Sequence, residues 1–222
     1  MGNKLAFATD LPLAELYFYN HPAIGGLSAY NTTGFASQTE SSLDNAGYNC
    51  YSYTNVQAGP ASSSSVVRTL DDDAIFFINA HGGNGRVVCV DNSNNITRVS
   101  AKKVTSDSSV YSLEYNFENT TDQLKSLKVA YWMGCNTYGT NSVYGSLNSK
   151  CTSLGVDCNI THNDNVWSTY CSYFQYRFWW HFFNLILASR ETGGAIQETC
   201  LKDRLYIFLS YFEPKIFVYS LG

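Results

Sequence analysis

An α/β fold with a mostly parallel central sheet flanked by helices is the expectation for this chain, and three observations carry it. The first is Ile75-Phe-Phe-Ile-Asn-Ala-His81-Gly82-Gly83, apolar from 75 to 78 without polar alternation. Continuous apolar character marks a strand buried on both faces, as in parallel sheets. The second is Leu127-Lys-Val-Ala-Tyr-Trp-Met-Gly134-Cys135, a run of the same shape. The third is the order strand, helix, strand, helix, strand up to residue 81, which reads as a wound parallel sheet.

In order, residues 5–8 form a candidate first strand. The Gly- and Tyr-rich stretch to Phe35 reads as loop, with a short strand at 17–19. Residues 39–47 read as a helix stopped at Gly47, glycine being the residue that most readily takes the left-handed turn beyond a helix. Residues 48–54 alternate aromatic and polar side chains, a strand pattern. Gly59-Pro-Ala and four serines make a turn and helix start, and 66–70 a short helix. Asp71, Asp72 and Asp73 read as a solvated loop before the strand of His81.

Beyond that strand, 85–91 and 95–99 flank Asn92-Ser-Asn-Asn as a hairpin, and 100–104 begin a short helix. Residues 106–121 show no clear pattern. The strand of Cys135 follows, then a helix within 142–154 stopped by Gly155 and a strand at 156–161. A long aromatic helix is expected over 167–190. Its most apolar part, 178–188, is too short for a membrane span and carries His181. A helix at 195–203 and strands at 205–211 and 215–221 complete the chain, expected as one domain over 1–222 with 1–38 as a peripheral segment.

Composition narrows the function. Charged residues make up 14% and the net charge is −4. No Lys/Arg cluster is visible along the sequence, which argues against a nucleic-acid partner. Seven cysteines leave at least one unpaired, and no Cys-x-x-Cys pair exists for zinc or thioredoxin-like chemistry. Neither a metal nor a cofactor is expected. Four Asn-x-Ser/Thr sequons, at Asn31, Asn95, Asn119 and Asn159, arise readily in a chain so rich in these residues. The first ten residues lack the apolar core of a signal peptide. A cytoplasmic location with reduced thiols is expected.

The chemistry lies where the two apolar runs end. A strand that stops at His and then Gly delivers an imidazole to the carboxyl edge of a sheet, where sites form in open α/β folds. If both runs share one parallel sheet, His81 and Cys135 emerge together, 135 − 81 = 54 residues apart. A thiol beside an imidazole makes a nucleophile with its base.

Here the chain resembles the caspase-like cysteine peptidases, the group of caspases, legumains, gingipains and separases. Phe76-Phe-Ile-Asn-Ala-His81-Gly82 matches their catalytic His segment, and Val129-Ala-Tyr-Trp-Met-Gly134-Cys135 their catalytic Cys segment. The bacterial CHAT subgroup is the nearest in plan, with a hairpin and short helix between the two strands, where 86–104 stand here. The resemblance runs from about Glu40 onward, but Gly-Cys-Asn-Thr replaces the caspase Gln-Ala-Cys signature, so caspase specificity for Asp is not carried over. It implies a caspase-like three-layer fold and a cysteine endopeptidase with a Cys135–His81 dyad. It also implies an oxyanion hole of the Gly82 and Cys135 N–H groups, with no third triad residue required. Substrates would be peptides or proteins, and a regulatory protein partner is expected, as CHAT-like domains often work within assemblies.

In several relatives an acidic residue just past the strand after the catalytic Cys lines the pocket for the side chain before the cut. Asp164 stands there, with Trp167 as a wall, and a carboxylate would select Arg or Lys. Asp164 or Asn165 equally suits a helix N-cap. Two other readings stand beside the peptidase: a catalytically silent caspase-like scaffold or binding module, and an α/β-hydrolase esterase. The esterase reading lacks a Gly-x-Ser-x-Gly elbow. Gly82-Gly-Asn-Gly85 lacks both the dinucleotide fingerprint and a Walker lysine.

Overall fold

The computed structural model describes residues 11–19, 33–45, 47–54, 63–91, 93–117, 123–163 and 217–221 of the 222-residue chain. In chain order its elements are β1 (Leu13–Phe18), α1 (Thr33–Asn45), β2 (Asn49–Thr54), α2 (Ser63–Thr69), β3 (Asp73–Asn79), β4 (Arg86–Val90), β5 (Ile96–Ser100), β6 (Val110–Ser112), α3 (Leu113–Asn116), β7 (Val129–Met133), α4 (Leu147–Ser153), β8 (Cys158–His162) and β9 (Phe217–Leu221).

The continuous apolar runs become the middle of the main sheet, whose order is β2-β1-β3-β7-β8-β9. Five strands are parallel and β9 is antiparallel to β8. Every residue of β7 is buried, and from Ile75 to Asn79 so is every residue of β3. The aromatic residues take the two faces as ladders. On one face Tyr53, Tyr17, Phe76 and Trp132 follow one another across four strands, with ring centroids 4.9, 5.8 and 4.8 Å apart. On the other Phe18, Phe77, Tyr131 and His162 do the same at 5.3, 5.2 and 5.7 Å. Each such pair adds about 0.5–1.5 kcal/mol beyond its buried area.

Between β3 and β7 the chain builds a small sheet of order β4-β5-β6. The expected hairpin is its antiparallel β4–β5 pair, and β6 adds parallel to β5. Val87, Cys89 and Val99 of this insertion join the core with Val66, Val67, Leu113, Leu147 and Cys151 from the helices.

Several expectations need correction. Leu13–Phe18, the first strand among the described residues, occupies the interior of the sheet, so this part of the expected peripheral segment 1–38 is not peripheral. Its pattern was masked by Glu15, a carboxylate that is only 5% exposed and accepts hydroxyl hydrogen bonds from Tyr17, Thr69 and Tyr53. Ser100 closes β5, and 101–104 form a bend and irregular chain rather than a helix. Asp71 and Asp72 are exposed, but Asp73 is the buried first residue of β3. The helix expected within 142–154 begins only at Leu147, after the Ser146 hydroxyl accepts from the Ser149 amide as an N-cap. Asn159 is fully buried in β8, so its sequon is inaccessible in the folded protein. The expected elements at 5–8, 167–190, 195–203 and 205–211 lie outside the described residues. Among the described residues no helix is long and apolar enough to cross a membrane.

Candidate active site

Two turns meet at the carboxyl edge of the main sheet, one after β3 and one after β7. The strands pair in parallel register up to Asn79 with Met133, and the ladder continues as the Ala80 amide donates to the Met133 carbonyl at 3.0 Å. His81 and Cys135 each stand two residues beyond that last strand pair (133 − 79 = 54 and 135 − 81 = 54), in the turns that follow.

Glycine is required where the turns touch. A Cβ on Gly134 would stand 2.8 Å from the Ala80 carbonyl oxygen, and one on Gly82 2.7 Å from that of Cys135 and 2.9 Å from Thr137 Cγ2. Two backbones in contact leave no room for a methyl group. Gly82 also pairs with Val87, flanked by Gly83 N–H to Arg86 carbonyl at 3.1 Å and Val88 N–H to His81 carbonyl at 2.8 Å. Those flanking bonds make Gly82–Val87 a non-hydrogen-bonded pair, so the Gly82 N–H points away from β4. Ala80, two residues earlier, sends its N–H towards β7. By strand alternation the Gly82 N–H is directed the same way, at the Gly134–Cys135 turn.

The Cys135 turn is held from below. Thr137 is fully buried, and its hydroxyl donates to the Trp132 carbonyl at 2.9 Å while accepting from the His162 amide at 2.9 Å. Asn136 takes φ 51°, a left-handed conformation asparagine tolerates. Its carbonyl accepts from the Gly85 and Gly139 amides, both at 3.1 Å, which stitches the His81 turn to the Cys135 turn. At Gly85, φ is 75° and a Cβ would fall 2.3 Å from the Gly139 carbonyl oxygen. Sequence reading passed over Asn136 and Thr137. The signal available was Gly-Cys-Asn-Thr-Tyr-Gly itself, a left-handed-tolerant residue between two glycines.

His81, Gly82 and Cys135 are all partly exposed. His81 Nε2 is buried and has no hydrogen-bond partner among the described residues, so the imidazole holds an unused polar atom. Cys50, Cys89, Cys151 and Cys158 are buried, whereas Cys135 is not. Burial pushes the Cys89 thiol up to about 11 and that of Cys151 to about 12. Burial, then the charges of Glu40 and Asp44, pushes Cys50 up as well. Thiols so raised carry almost no thiolate at neutral pH and are inert as nucleophiles.

His162 is not the loop residue expected from sequence: it ends β8, is 1% exposed, and its Nε2 lies 3.1 Å from the Tyr131 hydroxyl. Its backbone carbonyl accepts from Tyr138 at 2.9 Å, so it braces the Cys135 turn structurally. Asp164 and Trp167 lie outside the described residues. Among the described residues no cluster of three His, Cys, Asp or Glu side chains could hold a metal. The chain matches no protein-family model and no curated protein.

Proposed function

We propose that this chain is a caspase-like cysteine endopeptidase, nearest in plan to the bacterial CHAT subgroup, with Cys135 as nucleophile and His81 as its acid–base partner. One observation carries the reading: His81 and Cys135 each stand two residues past the last paired residues, Asn79 and Met133, of adjacent parallel strands, at the edge where α/β sheets build their sites. Counted in chain order, the main-sheet strands run 2-1-3-4-5-6, with the insertion between the third and fourth and the last antiparallel. That arrangement suits a caspase-like three-layer fold. The described cysteines all carry thiols rather than disulfides, which suits a reducing, cytoplasmic setting.

The chemistry would be acyl transfer. Cys135 sulfur bonds to the scissile carbonyl carbon and the thiol proton passes to His81. The carbonyl oxygen takes the electron pair and lies against the Gly82 and Cys135 N–H groups, each such donor contributing about 3 kcal/mol. The C–N bond then breaks as the imidazolium protonates the leaving amine, and water hydrolyses the thioester in a second round. A preference for cutting after Arg or Lys would rest on the Asp164 carboxylate, with Trp167 against the aliphatic stem.

Labelling with a peptide acyloxymethyl-ketone probe, followed by mapping of the modified residue, tests the reading. Modification at Cys135 that His81→Ala suppresses is the expected result. An unlabelled, folded protein points instead to a silent scaffold, and hydrolysis of simple esters that survives Cys135→Ala points to an esterase.

A further inference from the structure

Two grooves lie side by side where the inserted subassembly meets α2 and α4. The larger, about 460 Å³, runs along α2, the 103–108 loop, β6 and α3, and holds Arg68 and Lys103 with Tyr111 and Tyr115. The smaller, about 260 Å³, is lined by Lys102, Glu114 and residues of α4 that include Lys150. Successive residues alternate between them: Lys102 and Glu114 line one, Lys103 and Tyr115 the other. The segment 101–103 together with α3 is therefore a shared wall.

Four cations from three separate stretches of chain meet on this surface, which is why no basic cluster is visible along the sequence. Among the described residues none of the four is paired with an acidic side chain. The side chains of Arg68 and Lys102 make no ion pair and no hydrogen bond among the described residues. Lys103 Nζ sits over the Tyr115 ring, 4.3 Å from its centroid. Lys150 Nζ reaches only the Phe117 carbonyl, at 3.5 Å. The two acids present are engaged elsewhere. Asp107 accepts from the Ser109 amide and hydroxyl at 2.9 and 2.6 Å and faces Arg98 at 4.0 Å. Glu114 accepts the Lys103 amide at 2.9 Å. The surface keeps two net positive charges (4 − 2 = 2) on a chain of net charge −4.

We propose that this double groove docks an extended acidic peptide that places carboxylates in both grooves and crosses the wall between them. A small anion would need only one groove. A long nucleic acid would meet the remainder of the chain at a net charge of −6 (−4 − 2 = −6) and be repelled. Tyr111 and Tyr115, 37% and 58% exposed, offer the amphipathic rings favoured at peptide and protein contacts. The proposal does not depend on the chemistry at Cys135, so its test uses binding rather than turnover.

Fluorescence anisotropy of a labelled oligoglutamate peptide, titrated with the full chain at low salt, is the experiment. Saturable binding that weakens as salt rises is expected. Arg68→Gln, and Lys102→Gln with Lys103→Gln, should each weaken it roughly tenfold. Lys125→Gln, exposed but outside both grooves, should leave it unchanged. Melting curves of the variants should overlay the parent, since these side chains are exposed. Binding that never saturates, groove variants that bind like the parent, or a single-stranded RNA that displaces the peptide through the same lysines at lower concentration would each overturn the proposal.

Discussion

Asp73 opens β3 at one edge of the main sheet, and His81 follows the same strand at the other. At the amino edge the polar groups are internal. Asp73 is fully buried with both carboxyl oxygens unpartnered among the described residues, and nearby Glu15 accepts from three hydroxyls. Burial first, then the charges of Glu15, Asp72 and Asp71, pushes the Asp73 carboxyl up to about 9. At the carboxyl edge His81 and Cys135 are partly exposed, and what is buried beneath them is backbone and the Thr137 hydroxyl. One strand thus carries a strained acid at its start and a presented imidazole at its end. The difference teaches that this sheet tolerates a poor electrostatic fit where nothing reacts, and fixes geometry with glycine contacts where the candidate chemistry lies.

The sharpest separation of the two edges is Cys135→Ala. Peptide hydrolysis should fall by about a thousandfold or more, with the thermal midpoint unchanged. Residual turnover near the parent's would remove the carboxyl edge from the chemistry.

Asp73→Asn should do the reverse, raising stability and sparing turnover. The sign follows from linkage: a carboxyl whose folded pKa is raised from 3.8 to about 9 binds its proton more tightly when folded. Its contribution to stability is complete below pH 4 and is lost as pH rises to about 9. Asparagine has no proton to lose, so the variant should gain about 4 kcal/mol at neutral pH and less than about 1 kcal/mol at pH 4. Urea titrations at the two pH values measure it, and an equal effect at both would show that Asp73 is ionised in the fold.

Gly82→Ala probes the contact between the turns. Its Cβ would meet the Cys135 carbonyl at 2.7 Å and Thr137 at 2.9 Å. Displacing the turns by a fraction of an ångström should cost about a hundredfold in kcat, with a smaller loss of stability. The smallest effect expected is that of Thr137→Val, about 1–2 kcal/mol, because the Trp132 carbonyl and His162 amide lose a buried partner. Denaturant midpoints read it directly, and a neutral result would mean that water replaces the hydroxyl.

The middle of the sheet was legible because β3 and β7 are unbroken apolar runs, and equal offsets to His81 and Cys135 followed by counting. The hairpin was legible from the Asn-rich turn between β4 and β5. Glu15 hid β1, since a carboxylate in a buried strand makes sense only once Tyr17, Tyr53 and Thr69 are known to surround it. Asp73 was misread with its exposed neighbours because like charges in sequence suggest water, whatever the pleat does with the third of them. The basic grooves join Arg68, Lys102, Lys103 and Lys150 across 82 residues (150 − 68 = 82), a separation no local pattern bridges.

The antiparallel pairing of β8 with β9 bears on how the chain reaches this fold. Its tightest pair, His162 with Phe217, closes a loop of 55 residues (217 − 162 = 55), whereas β7 meets β8 across only 29 (158 − 129 = 29). Loop-closure entropy favours the shorter join. Until β9 arrives, β8 is an edge strand whose five side chains are all destined for burial, with a row of unmet amides and carbonyls open to another chain. Slow docking of β9 should therefore set the window for misassembly. Refolding yield should fall with protein concentration, and a short peptide of the β9 sequence added in excess should restore it.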